Sequence, residues 1–167
     1  SIHYIDTIRY LFGEPIKLNA KLLKHPRSSL NKPTRTYINF EYPDSLYGNL
    51  NISHDSIFKS EKWVAGFEIE GDRGTCTGRI SSMIGDGKNF KDHISFSTNN
   101  SNKFIEINKQ LDGRWFSDSF IGPMYSLIEA IDLDIQPETN VIDAFKTLKL
   151  LECIEKSHEN SQIISCT

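Results

Sequence analysis

Two side chains near the start of the chain could carry proton-transfer chemistry: His3 and, one helical turn further on, Asp6. An imidazole titrates near neutrality, and a positioned acid or base of this kind is worth roughly 10²–10⁴ in rate. At i,i+3 spacing on a helix, the carboxylate shares a face with the ring and can hold or tune it. The pair also reads as an exposed helical histidine beside a capping aspartate, and spacing alone leaves both readings open. Other combinations fail on geometry. His54-Asp55 and Asp92-His93 are neighbours in strand-like sequence, so their side chains point to opposite faces and cannot share an ion. His54 falls in phase with Leu50 and Ile52 and reads as a core or rim histidine on the helix-covered side. Gly85-Asp86-Gly87-Lys88 lacks a glycine at position 82 and a Ser/Thr after the lysine, so it is a turn rather than a phosphate loop. Cys76, Cys153 and Cys166 are odd in number and hold no C-x-x-C pair, which argues against a zinc ribbon or a thioredoxin-like site; isolated thiols fit a cytoplasmic protein. No metal site is expected. With no G-x-S-x-G motif, a hydrolase built on His3 and Asp6 has little behind it.

The composition sets the frame for these residues. The chain has 167 residues, 38% apolar, 25% charged and 11% aromatic, enough to fill a core and too few for two full-sized domains. Its formal charge is −3 and its basic residues are not massed as in a nucleic-acid footprint, so no nucleic-acid partner is expected. No apolar run is long enough to span a membrane, and the first residues do not read as a signal peptide.

The elements that must position the chemistry follow from periodicity. His3 to Phe12 reads as a helix, with Ile5, Ile8, Leu11 and Phe12 recurring at helical spacing, Gly13 at its end and Pro15 just beyond. Nothing ahead of Ser1 caps it, so the chain is expected to be a fragment of a longer one. Ile16 to Leu23 reads as a strand. Alternation through Thr36, Ile38, Phe40 and Tyr42, the turn Pro43-Asp44-Ser45, and alternation through Leu46, Gly48, Leu50 and Ile52 predict a hairpin. Trp63 to Glu70, the turn Gly71-Asp72-Arg73-Gly74 and Thr75 to Ile80 predict another, followed by strands near His93 to Thr98 and Lys103 to Gln110. Phe120, Met124, Leu127, Ile128 and Ile131 fall on one face of a helix whose first turn holds Pro123. Asn140 caps a last helix with Asp143 in its first turn and a predicted stripe of Ala144, Leu148 and Leu151 beside Phe145. Gln162 to Ser165 closes as a short strand. Strands flanked by helices argue for an α+β fold: an open, mostly antiparallel β-sheet with helices packed on one face. Aromatics such as Tyr37 on the other face suggest a surface for a partner.

Two segments bring a family into view. Arg114-Trp115-Phe116-Ser117-Asp118-Ser119-Phe120-Ile121-Gly122-Pro123-Met124, followed by Leu127, Ala130, Ile131, Pro137, Asp143, Thr147, Leu148, Glu152 and Ser157, resembles the C-terminal half of glucose–fructose oxidoreductase/inositol dehydrogenase/MocA-type (Gfo/Idh/MocA) oxidoreductases. His3-x-x-Asp6 with Leu11, Gly13 and Pro15 resembles their active-site helix, and Gly71-Asp72-Arg73-Gly74 their mid-sheet turn. The resemblance implies a dehydrogenase C-terminal domain over residues 1–167, similar to that of glyceraldehyde-3-phosphate dehydrogenase, which binds substrate and oligomerises. The N-terminal Rossmann domain, carrier of NAD or NADP and of a catalytic lysine, is absent from this chain: neither G-x-G-x-x-G nor Glu-Lys-Pro occurs. It further implies that His3 is the acid/base at the substrate oxygen, with Asp6 beside it, and that Trp115 and Asp118 contact substrate. A core tryptophan and a first-turn acid are the ordinary reading of the latter two. The expected parent is a cytoplasmic, homo-oligomeric NAD(P)-dependent oxidoreductase of a sugar, inositol or related polyol, with this chain alone inactive and binding no cofactor. The alternative is a non-catalytic binding or assembly module of the same fold.

Overall fold

Alternating side chains build the first sheet of the computed structural model, which describes residues 2–54, 65–80, 93–101, 103–107 and 118–166. Leu18 and Ala20 of β1 (Lys17–Leu23), Ile38 and Phe40 of β2 (Arg35–Glu41) and Ile52 of β3 (Tyr47–Ser53) are buried on one side. Asn19, Tyr37, Asn39, Tyr47 and Asn49 lie exposed on the other. The register sets Leu18 opposite Phe40 and Ala20 opposite Ile38, and a one-residue slip would turn all of them outward. Between β2 and β3 the turn Pro43–Ser45 carries Asp44 and Ser45 in the left-handed region, φ 59° and 61°. A short strand, β8 (Ile164–Ser165), pairs with Leu18 and Lys17 to complete the order β3-β2-β1-β8.

Beyond β8 the edge of β1 is finished by a side chain. Ser157, fully buried, accepts from the Ala20 N–H at 2.9 Å and donates to the Gln162 carbonyl at 2.6 Å, so the exposed edge is capped without another strand. Ser157 belongs to α3 (Val141–Asn160), which starts where Asn140 accepts from the Ile142 and Asp143 N–H groups, the expected cap. The helix face differs from the expected stripe. Thr147, Leu150, Ile154 and Ser157 are buried, while Leu148 and Phe145 are each 54% exposed. Hydrophobicity alone selects the larger residues; Thr147 and Ser157 win the buried positions because each has polar partners there. The helix α1 (Ile2–Phe12) shows the same effect: Ile5 enters the core with Leu18, Ile38, Phe40, Leu150 and Ile154, but Arg9 is buried where Leu11 was expected.

A second compact unit holds β4 (Ala65–Gly71), β5 (Gly74–Ile80), β6 (His93–Thr98), β7 (Ile105–Glu106) and α2 (Ile121–Asp132). Its strands run in the order β4-β5-β6-β7, and the Gly71–Gly74 turn closes the β4–β5 hairpin as expected. Gly74 has φ +152°, and a Cβ there would stand 2.1 Å from the Ser97 carbonyl oxygen, so only glycine fits. Trp63 and residues 108–110 of the expected strands lie outside the described residues. All described strand pairings are antiparallel and both sheets are open, the α+β class expected.

Candidate functional site

One charged residue ties the first helix to α3. Gly13, φ +79°, ends α1 and donates to the Arg9 carbonyl at 2.8 Å, as the sequence suggests for a C′ glycine. Arg9 itself is 6% exposed and engages three segments of the chain. Its Nε and Nη2 donate to the Glu14 carboxylate at 3.1 and 2.6 Å in a fork, Nη2 also to Asp143 Oδ1 at 3.0 Å, and Nη1 to Asp6 Oδ1 at 3.3 Å, to the Asp143 carbonyl and to Thr147 Oγ1. The Glu14 hydrogen bond above all, with Asp143 after it, outweighs desolvation and holds the guanidinium protonated more firmly than usual. A planar fork of donors suits this multidentate arrangement; a lysine could not reproduce it.

Opposite Arg9, α1 carries His3 on its exposed face, with the Thr7 hydroxyl donating to the His3 carbonyl at 2.8 Å. Asp6 lies one turn on, but its Oδ1 accepts from Arg9 and, at 2.5 Å, from Thr147 Oγ1. No described residue donates to its second oxygen, and the side chain is 53% exposed. The carboxylate is thus tied to the helix-packing network at one oxygen, with the other open to solvent or a ligand hydroxyl. Asp118 stands just before α2 in the second unit, half-buried, and Trp115 lies outside the described residues. His54 follows β3, its N–H bonded to the Thr34 carbonyl at 2.9 Å. His54 is exposed, and partial desolvation first, with the positive charge of Lys32, pushes its imidazole down. Among the described residues no group of His, Cys, Asp and Glu could hold a metal ion, and no described helix is long and apolar enough to cross a membrane.

The contact of Arg9 with Thr147 has no counterpart in the sequence pattern. Each alone is a polar residue in phase with the apolar face of its helix, which looks like noise until both helices are placed together.

Under α1 a tyrosine is buried at a cost. Tyr42 is 4% exposed, its ring tilted against Phe12 and Phe40 at 6.3 and 6.4 Å, and its hydroxyl has no partner among the described residues. Burial, with smaller contributions from Glu14 and Cys166, pushes the phenol up to about 12. Because the folded pKa lies above the unfolded one of about 10, the neutral ring's contribution is whole below about pH 10 and is lost as pH rises through about 12. Tyr42→Phe is expected to stabilise the unit by about 1 kcal/mol, since it removes an unpaired buried hydroxyl, and to flatten the alkaline decline. Urea melts at about pH 8 and about pH 11 check both; a destabilised variant at the lower pH would show that the hydroxyl is satisfied after all.

Comparison with known proteins now fixes the class. The family described as "Oxidoreductase family, C-terminal alpha/beta domain", the C-terminal domain of Gfo/Idh/MocA oxidoreductases, matches residues 1–165, and the chain belongs to it. Solved structures with the same fold include an oxidoreductase from Agrobacterium radiobacter in complex with NAD+, L-tartaric acid and magnesium (15% identity, TM-score 0.73, covering 99% of this chain and 47% of that one). An aldose-aldose oxidoreductase from Caulobacter crescentus complexed with glycerol is similar at 15% identity, TM-score 0.75, 98% of this chain and 45% of that one. A levoglucosan dehydrogenase in complex with NADH and levoglucosan is similar at 14% identity, TM-score 0.78, 99% and 48%. The chain therefore spans about half the length of these relatives. No curated protein matches it.

Proposed function

We propose that residues 1–167 are the substrate-binding domain of an NAD(P)-dependent oxidoreductase acting on a sugar, inositol or related polyol, in which His3 exchanges a proton with the reacting hydroxyl. The observation that carries this is an exposed imidazole on a short helix whose orientation is fixed by a buried, fully engaged arginine. Oxidation of an alcohol carbon removes a hydride from C–H and a proton from O–H; His3 takes the proton on a ring nitrogen and returns it in the reverse direction. The open oxygen of Asp6 accepts from a neighbouring hydroxyl and orients the substrate, and Trp115 and Asp118 add contacts. Relatives that hold levoglucosan, glycerol or L-tartaric acid support the polyol reading.

The nicotinamide supplies the hydride acceptor or donor when bound. We assign the dinucleotide to a companion Rossmann domain, a reading supported by the match to a C-terminal domain family and by the coverage of about half of relatives that hold NAD+ or NADH. The exposed face of the first sheet, where Asn19, Asn39 and Asn49 lie in register, is the surface for a second copy of the chain. The chain's three free cysteines, Cys76, Cys153 and Cys166, suit the cytoplasm.

Calorimetric titration of this chain with NADH and NADPH is expected to give no binding heat. Micromolar affinity for either would place the nucleotide site in these residues and overturn the assignment. The alternative, a non-catalytic assembly module of the same fold, draws on the attachment of Asp6 to Arg9 and Thr147 rather than to His3.

A further inference from the structure

The charge of the first unit is segregated. From Lys17 to Arg35 the sequence holds six Lys and Arg residues and no Asp or Glu, in a chain whose overall formal charge is −3. Three of the six are engaged: Lys17 pairs with Glu41 at 3.5 Å, Lys21 donates to Ser161 at 3.2 Å, and Arg35 donates to Ser53 and the Thr34 carbonyl. The other three, Lys24, Arg27 and Lys32, are exposed on the β1–β2 loop and form no ion pair with any described residue.

That loop has a built shape. Thr34, fully buried, donates its N–H to the Leu23 carbonyl at 2.9 Å and accepts from the His25 N–H at 3.0 Å. The buried Ser28 donates its N–H to the His25 carbonyl at 2.9 Å and accepts from the Leu30 N–H at 3.2 Å, while Arg27 N–H meets His25 Nδ1 at 3.2 Å. Three cations on one short, hydrogen-bonded loop have no described counter-ion, and an anion bound there would supply one. The loop also stands at the end of the sheet where α1 begins. Phe12 against Tyr42, and Ile16 N–H on the Glu41 carbonyl, set the last turn of α1 at the Lys17–Glu41 end of the sheet. Ile5 then packs back into the core with Leu18, Ala20 and Ile38, so α1 starts toward the Leu23–Arg35 end of the sheet, where the His54 N–H bonds the Thr34 carbonyl.

We infer that Lys24, Arg27 and Lys32 form an anion-binding rim beside His3, so that the substrate is an acidic sugar or polyol carrying a carboxylate or phosphoryl group. The inference rests on the proposed polyol reading and narrows it. Arg27 would clasp the anion with its planar fork and the two lysines would complete its neutralisation.

The test is binding to this chain, which needs no turnover. Amide shifts of the ¹⁵N-labelled chain are followed on adding D-glucuronate, D-glucose 6-phosphate, inorganic phosphate and neutral myo-inositol, at constant ionic strength. Movement of the 24–34 and His54 amides with glucuronate alone assigns a carboxylate, and with glucose 6-phosphate and phosphate alone a phosphoryl group; movement with all three assigns a site for either. Arg27→Gln with Lys32→Gln, both at exposed positions that leave the fold intact, is expected to weaken the binding about tenfold or more, as for loss of a charge-assisted hydrogen bond. The rim is overturned if no anion moves these amides at about 10 mM, which would largely fill a millimolar site. It is equally overturned if myo-inositol moves them as much, or if the double variant binds as the wild type does. None of these outcomes touches the role of His3, which fails only by its own substitution.

Discussion

His3→Ala in the intact oxidoreductase is expected to lower kcat by about 10²-fold or more, with a much smaller change in KM. The asymmetry follows from what the imidazole does in the proposed mechanism. It meets the reacting oxygen most strongly while the O–H proton is in flight, so its loss removes stabilisation made in the transition state and little that is made in the ground state. The fold should survive the change, because His3 is exposed, its side chain bonds no described residue, and the Thr7 hydroxyl donates to its backbone carbonyl, which alanine retains. His3→Gln serves as the companion variant, keeping a polar group of similar reach without a proton that titrates near neutrality. Steady-state kinetics on both variants, with circular dichroism as a check on folding, separate the two readings of this chain. If turnover is unchanged, His3 leaves the mechanism and the assembly-module reading gains. If kcat falls in both variants with KM nearly constant, the proton-transfer role stands.

How far the sequence could anticipate this geometry depended on how local each interaction is. Gly13 after Phe12, Asn140 two residues before Ile142 and the Gly71–Gly74 turn all satisfy backbone groups within a few residues, and each was legible. The β2–β3 hairpin was legible for the same reason, since alternation and a proline turn fix the register together. The buried polar network was not. Arg9 meets Thr147 across 138 residues of sequence, and Ser157 meets Ala20 across 137, so neither contact leaves a local pattern. Reading apolar periodicity alone put Leu11 and Leu148 inside, whereas 54% of each is exposed. The positions they were given went to polar residues whose partners arrive from the other end of the chain. The candidate site shows the same division: the proximity of His3 and Asp6 was legible as helical spacing, but the engagement of Asp6 with a distant threonine was not.

That network bears the second large effect. Arg9→Met is expected to destabilise the first unit by about 3 kcal/mol. Removing one member of a buried charge cluster costs about 3–5 kcal/mol when its partners stay buried. Here the partners are Asp6, Glu14 and Asp143, with side chains 53%, 48% and 43% exposed, so water recovers part of the loss and the low end of that range applies. What water does not recover is the repulsion among three carboxylates that the guanidinium now separates, and the buried Thr147 hydroxyl keeps Asp6 as its one side-chain partner among the described residues. Arg9→Lys retains the charge but cannot fork to Glu14 while reaching Asp143 and Thr147, and is expected to fall between wild type and the methionine variant. Urea unfolding of the three proteins measures the order; a methionine variant within about 0.5 kcal/mol of wild type would mean that the cluster contributes nothing net, as many surface pairs do. The consequence for the chemistry is direct. α1 carries His3 at one end and Arg9 near the other, and the arginine fixes α1 to Asp143 and Thr147 of α3. In the intact enzyme, Arg9→Lys should therefore lower kcat even under conditions where most molecules are folded, because the helix that carries the imidazole loses its forked attachment to α3. A variant that is less stable yet turns over normally would confine Arg9 to holding the fold.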